Sequence, residues 1–411
     1  MKVKFEGIPF IEGGVCAPKG FKASGVHCGI RKNKTKSDLA LIYAQKPCAA
    51  AAVYTQNKVK GAPILVTKRH LRNGVAQAVI CNSGNANTCN VDGEYKAGVM
   101  ADLCADALGI KNKDVIVAST GVIGQELPIE PIEAGIEPLV DALSEDGSAA
   151  AAEAIMTTDT ELKEIAIEVE IAGTPVRIGG IAKGSGMIHP NMATMLCFLT
   201  TDVDIDQLLL HKALQKVVED TFNMVSIDGD TSTNDMCSIM ASGLAGNKRI
   251  DMQGADYEVF CNALYVVLMN LSREIAKDGE GATKLLECVV TGAKDPRTAK
   301  IVAKSVITSS LFKAAMFGAD ANWGRVLCAI GYADAAFDIG KVAVSLASKK
   351  GCVDVCQHGM GVEFSEEKAA EVLSEDEIKI LISLGEDEYK AVAWGCDLTY
   401  DYVKINGDYR T

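Results

Sequence analysis

The chain has 411 residues, room for two or three domains at about 150 residues each, and 48% of its side chains are hydrophobic against 23% charged. That balance excludes disordered and fibrous classes. With 41 basic against 54 acidic residues the net charge is −13, which argues against a general binder of nucleic acid or anionic membrane, and 5% aromatic content leaves few platforms for stacking bases. No run approaches the roughly 18 apolar residues of a membrane span. Glu6 and Glu12 interrupt any secretory signal, so a cytoplasmic protein is expected.

Basic residues gather early. Lys19, Lys22, Arg31, Lys32, Lys34 and Lys36 precede Asp38; a solvated loop is the plain expectation, guidance of an anionic substrate the sharper one. Met100, Leu103, Cys104, Ala107 and Leu108 keep helical spacing, and Gly109 is a stop. Residues 115–118 form a short apolar strand running into Ser119-Thr120-Gly121. Ile165, Ile167, Val169 and Ile171 alternate strictly, turn at Ala172-Gly173, and return through Val176 and Ile178, which predicts a hairpin.

Asp204 is expected to cap a helix carrying Leu210, Leu214, Val217, Val218 and Phe222. A longer helix carries Phe260, Leu264, Val267, Leu268, Leu271 and Ile275 and ends at Asp278-Gly279. Asp295-Pro296 opens a third with cap and first-turn chemistry. Residues 341–346 and 389–399 read as late strands. Together these patterns predict a layered α+β protein, not a doubly wound nucleotide fold.

Motifs for bound groups fail one by one. Gly279-Glu-Gly281 lacks the third glycine of a dinucleotide loop, which Lys284 replaces, and follows a helix. Asp228-Gly-Asp230 starts like a calcium loop, but Thr233 and Ile239 stand where glycine and glutamate are required. Ser185 has Lys183 where a hydrolase elbow needs glycine. His189 precedes Pro190 and is expected to mark a turn more than to serve as a base. Of 14 cysteines none forms Cys-x-x-Cys; Cys352, Cys356 and His358 lack a fourth zinc ligand, so free thiols are the better reading.

One segment remains, the glycine-bearing loop from Lys183 that ends at Thr194, where a continuous apolar strand begins. A threonine held at the head of a buried strand faces its loop rigidly. If the Ala193-Thr194 bond were cut, the freed α-amine, with a pKa of about 7.7–8.0, would be a base beside the hydroxyl, and no histidine would be needed.

This segment resembles the self-processing centre of the ornithine acetyltransferase family, also called glutamate N-acetyltransferase. Further resemblances run nearly end to end: Gly14-Val-Cys-Ala-Pro-Lys-Gly-Phe, Asn82-Ser-Gly-Asn-Ala-Asn87, Ser119-Thr-Gly-Val-Ile-Gly124 and Met156-Thr-Thr-Asp-Thr160. Downstream stand Asp228-Gly-Asp-Thr-Ser-Thr-Asn-Asp235, Asp278-Gly-Glu-Gly-Ala-Thr-Lys284, Gly318-Ala-Asp-Ala-Asn-Trp-Gly-Arg325 and Asn406-Gly-Asp-Tyr-Arg-Thr411. Cys16 and Gly407 depart from the family's usual threonine and alanine, at positions that carry no chemistry.

The resemblance implies a layered sheet-and-helix sandwich in two lobes. It also implies self-cleavage into residues 1–193 and 194–411, with two copies of each fragment in a heterotetramer. Thr194 is then the nucleophile that takes acetyl from N-acetyl-ornithine and passes it to glutamate in arginine biosynthesis. Thr120 and Gly121 match the oxyanion pair, and Thr160, Lys183, Thr194, Glu280, Asn406 and Thr411 match substrate contacts. No metal or organic cofactor is implied; whether acetyl-coenzyme A is a second donor stays open, since family members differ. Two other readings stand beside this one: a related self-processing aminopeptidase that hydrolyses, and a non-catalytic relative that binds ornithine or acetyl-glutamate.

Overall fold

The computed structural model describes residues 2–189, 195–385 and 388–408. They form two compact units, one within residues 1–184, 191–219 and 231–271, the other within 185–190, 220–230 and 272–411. Each has its own sheet. The first unit opens with strands β1 Phe10–Ile11, β2 Phe21–Val26, β3 Leu39–Tyr54, β4 Val75–Asn82 and β5 Val115–Ser119. It continues with β6 Lys163–Ile171, β7 Thr174–Lys183 and β8 Leu196–Thr201. Strand β9, Val225–Ser226, belongs to the second unit and β10, Met236–Ala241, to the first. The rest of the second sheet is β11 Leu285–Ala293, β12 Ala343–Ser348, β13 Gly351–Gln357, β14 Met360–Gly361, β15 Glu377–Ser383 and β16 Tyr389–Cys396.

The first sheet runs in the order β1-β6-β7-β8-β10-β3-β4-β5, with β2 paired to β3. Its centre is the parallel pair β8 and β10, Met236 opposite Leu196. All six residues of each strand are buried, which is why their sequences are mostly apolar and do not alternate. Farther out the period of two reappears. Ala40, Ile42, Val79 and Cys81 face one core with the alanine-rich helix Ser148–Ile155. Leu39, Leu41, Ala78 and Ile80 face another with helices Gly93–Leu108 and Glu130–Asp141. Helices therefore cover both faces, the layered α+β arrangement expected from the sequence.

The predicted hairpin is β6–β7, and its two turn residues Ala172 and Gly173 have φ of 50° and 78°, the left-handed pair a type I′ turn requires. The predicted cap Asp204 is corrected. Its carbonyl accepts the Ile250 N–H at 3.0 Å, where Ile205 bridges Ile250, so its backbone is committed to an extended segment. Asp206 caps instead, its carboxylate accepting the Leu208 N–H at 2.9 Å before helix Gln207–Glu219. Helix Ala255–Lys277 is long and apolar enough to cross a membrane, but 78% of its most apolar window is buried within the fold.

The second sheet runs β14-β13-β12-β15-β11-β16-β9. Helix Pro296–Thr308 lies against β11 and β16, started as predicted by Asp295, whose carboxylate accepts the Thr298 N–H at 2.7 Å. The predicted last strand is shorter than expected and ends at Cys396. Beyond it Asp397 accepts the N–H groups of Thr283 and Lys284 at 2.8 and 2.9 Å, which turns the chain. Thr399 then caps a final helix, Tyr400–Gly407, accepting the Tyr402 N–H at 3.4 Å.

Candidate active site

In the first unit, parallel strands β4 and β5 end together, Asn82 opposite Ser119. The Thr120 N–H donates to the Asn82 carbonyl at 2.9 Å, holding the first residue beyond β5. Gly121 follows with φ of 133°, and a Cβ there would stand 2.7 Å from the Asn85 nitrogen and the Gly84 carbonyl carbon. Only glycine fits, for conformation and for space. Among the described residues none accepts from the Gly121 N–H.

Lys183, the last residue of β7, reaches the same place and donates to Thr120 Oγ1 at 3.5 Å. Because that oxygen accepts from the ammonium, its own O–H is free to donate. Lys183 is only 5% exposed, so it is no solvated loop residue. Burial pushes its pKa down and the Asp159 carboxylate, 4.0 Å from Nζ, opposes the fall. Asp159, 4% exposed, also accepts Lys163 Nζ at 2.8 Å and the N–H groups of Thr157 and Gly184 at 3.0 and 2.6 Å. Burial alone would raise its pKa, yet Lys183 and Lys163 outweigh burial and hold the carboxyl well below the usual carboxylate range. Two buried lysines share the Asp159 carboxylate, and Lys183 is the one that also reaches Thr120, where its charge can meet an incoming anion, of which a substrate carboxylate is the simplest. Thr160, the next residue, is exposed. In this unit the structure brings Lys183 to Thr120, the residue before Gly121. Ala193 and Thr194 lie outside the described residues, as does Thr411.

Sequence reasoning missed three residues here. Asp159 anchors Lys183 and is shared with Lys163, and nothing in the spacing of the three residues announces it. Asp235, 2% exposed, precedes β10, where the Met236 N–H donates to the Met195 carbonyl at 3.0 Å. Burial pushes its carboxyl well above the usual range, against hydrogen bonds from Ser232, Met195 and Thr55 and the charge of Lys183. Its one sequence signal was an acid placed directly before an apolar run. Arg31, from the early basic group, is built in and not solvated: its guanidinium donates to the carbonyls of Ser83 and Met156.

In the second unit Glu280, 6% exposed, accepts from Asn406 Nδ2 at 2.7 Å, and its N–H donates to the Ser185 carbonyl at 3.0 Å. Gly186 leaves room for that carboxylate, since a Cβ there would collide with it. The last helix exists in part to deliver Asn406, one turn after Tyr402, whose hydroxyl pairs with Asp228. Cys352 is exposed and Cys356 buried, and no group of three metal-ligating side chains occurs among the described residues.

His189 makes a hydrogen bond through Nδ1 to Ser226 Oγ at 3.0 Å, and burial, then the charge of Lys304, lowers its pKa from 6.5 to about 4. It is neutral near pH 7. Between those two values the unfolded chain takes a proton that folded His189 refuses, so its contribution makes stability rise with pH across the window. Thermal melts at pH 5 and 7 should show a smaller difference for His189→Asn than for the parent protein.

The ArgJ family profile matches residues 22–411. The arginine biosynthesis bifunctional protein ArgJ 1 of Clostridium acetobutylicum is 52% identical over 392 residues, covering 95% of this chain and 96% of its own. The ArgJ protein of Symbiobacterium thermophilum is 52% identical over 404 residues, covering 98% and 100%, and that of Bacillus subtilis 47% over 403, covering 98% and 97%. Among solved structures, ArgJ of Bacillus halodurans is 43% identical over 51% of this chain and 97% of its own, with a TM-score of 0.48. Ornithine acetyltransferase of Mycobacterium tuberculosis, complexed with ornithine, is 38% identical over 45% and 100%, with a TM-score of 0.42. Nearly full coverage by relatives of one kind sets the class, a transferase of arginine biosynthesis. The chain belongs to the ArgJ family.

Proposed function

We propose that this enzyme moves the acetyl group of N-acetyl-ornithine to glutamate through an acetyl ester on Thr194, after cutting itself between Ala193 and Thr194. The observation that carries the reading is that Lys183, buried beside Asp159, reaches Thr120 at the turn that also carries Gly121. The Thr194 hydroxyl attacks the acetyl carbonyl while its proton passes to the Thr194 α-amine. The oxyanion is met by the Thr120 hydroxyl and the Gly121 N–H. Collapse breaks the amide bond, the proton goes to the departing ornithine amine, and the acetyl ester remains. Glutamate then attacks the ester by the reverse sequence, regenerating the hydroxyl.

Lys183 offers a point charge to the substrate carboxylate. Thr160, Glu280, Asn406 and Thr411 are carried over as substrate contacts from the resemblance. The relatives' designation as bifunctional supports a second activity, with acetyl-coenzyme A as the donor to test. A cytoplasmic heterotetramer of two copies of each fragment completes the proposal. The aminopeptidase reading is not favoured, because the family match spans residues 22–411. Acceptor dependence tests the choice directly: without glutamate, acetyl-ornithine should be consumed to one equivalent per Thr194, whereas a hydrolase would continue.

The sheet order adds an expectation for the cut chain. The bond between Ala193 and Thr194 falls between β7 and β8, and β8 and β10 sit between β7 and β3. The two fragments therefore share one sheet, their strands interleaved and buried. Size-exclusion chromatography should elute both together in native buffer and separate them only in denaturant.

A further inference from the structure

Two motifs named above have no part in the reaction as written: the asparagine-rich loop 82–87 and Thr233-Asn234-Asp235. They meet at Asn234. Its side chain is 6% exposed, and Nδ2 donates to the Ala86 carbonyl at 2.5 Å and to the Ser119 carbonyl at 2.9 Å. Its Oδ1 accepts from the hydroxyls of Thr88 and Thr233, each at 2.6 Å. Carbonyls cannot donate, so the amide has one allowed orientation. Both of its N–H groups and both lone pairs are used. Gly61 closes the pocket, since a Cβ there would stand 2.6 Å from the Asn234 amide.

The Ser119 carbonyl is the oxygen of the peptide that joins Ser119 to Thr120. The N–H of that same peptide donates to the Asn82 carbonyl at 2.9 Å, and Asn82 Nδ2 donates to Ser119 Oγ at 2.6 Å. One peptide plane is thus fixed at both ends, by Asn234 on its oxygen and by Asn82 on its hydrogen. With that plane set, the N-terminal side of Thr120 is anchored, which narrows the directions open to its hydroxyl and to the following Gly121 N–H. Asn82 Oδ1 also accepts from the N–H groups of Gly84 and Asn85 at 3.3 and 3.2 Å, at the backbone against which Gly121 packs.

We infer that Asn234 is the positioning residue of the oxyanion pair, tying the head of β10 to the turn that carries Thr120 and Gly121. It touches no reacting atom; it acts by aiming two donors. This rests on the oxyanion role proposed for Thr120 and Gly121. Donors in such a site work only when they are already aimed at the developing charge, and losing one costs about 10²–10³-fold in kcat. A small error in aim therefore lowers kcat and leaves substrate binding largely alone.

The test is a double-mutant cycle of Asn234→Ser with Thr120→Val, read by steady-state acetyl transfer to glutamate. Asn234→Ser alone should lower kcat by about 30- to 100-fold with KM within about threefold. In the Thr120→Val background the same change should cost only about three- to tenfold, because one of the two donors it aims is already gone and only the Gly121 N–H is left. Asn234→Asp keeps the volume, removes both N–H donors, and should lower kcat at least as far; it carries the test if the serine variant does not fold. Equal losses in both backgrounds, unchanged kcat, or a change confined to KM would overturn the proposal. A parent protein that transfers no acetyl group would instead overturn the oxyanion reading beneath it, so the two failures are distinct.

Discussion

Thr194→Ala is expected to give one uncut chain of 43.4 kDa with no acetyl transfer. Removing the hydroxyl removes the nucleophile for both the self-cleavage and the transfer, and without cleavage there is no α-amine to act as base. Nucleophile removal in enzymes of this logic costs on the order of 10⁴-fold or more. The fold should survive, because β8 begins at Leu196 and pairs with β7 and β10 through its own buried residues. The measurements are a denaturing gel and an acetyl-ornithine assay on the same preparation. A cut Thr194→Ala chain would sink the mechanism.

The second large effect separates binding from folding at one buried cluster. Lys183→Met keeps length and apolar contact but removes the charge offered to the substrate carboxylate; Asp159 keeps Lys163 at 2.8 Å, so the fold is retained. Losing one partner of a desolvated charge pair costs about 2–5 kcal/mol, so kcat/KM should fall by roughly 30- to 5000-fold with the melting temperature little changed. Asp159→Asn does the reverse. It takes the shared negative charge from two buried lysines and weakens the hold on the Thr157 and Gly184 N–H groups. Breaking a buried pair this way costs about 3–5 kcal/mol of stability, visible as a lower melting temperature before any assay is run. Acid should mimic it in part. Because the folded carboxyl is held below the usual range, its contribution is present above the unfolded pKa and is lost as pH falls toward the folded one. If Lys183→Met melted early while Asp159→Asn did not, the assignment of roles would be inverted.

Local chemistry was legible in the sequence wherever one element decides it. The β6–β7 hairpin followed from alternation and a two-residue turn, and the Asp295 cap from its neighbouring proline. Gly121 was marked by resemblance, and the structure supplies the physical reason, a left-handed φ packed on the Gly84–Asn85 peptide. What stayed hidden depends on partners distant in the chain. Lys183 reads as a loop lysine until β7 carries it inside beside Asp159. Asn234 is 115 positions from Ser119, and no local pattern joins them. The helix Tyr400–Gly407 was missed because its apolar spacing is weak and its start depends on Asp397 gripping Thr283 and Lys284 far upstream. Thr160, Glu280 and Asn406 were marked by family resemblance; of these, the structure joins Glu280 to Asn406 at 2.7 Å.

The central claim is that the chain makes its own N-terminal threonine. Intact mass of the purified parent protein under denaturing conditions, with N-terminal sequencing of each species, tests it most directly. Two fragments are predicted, the C-terminal one beginning at Thr194. A single 43.4 kDa chain that still transfers acetyl groups, or a cut at any other bond, would contradict it.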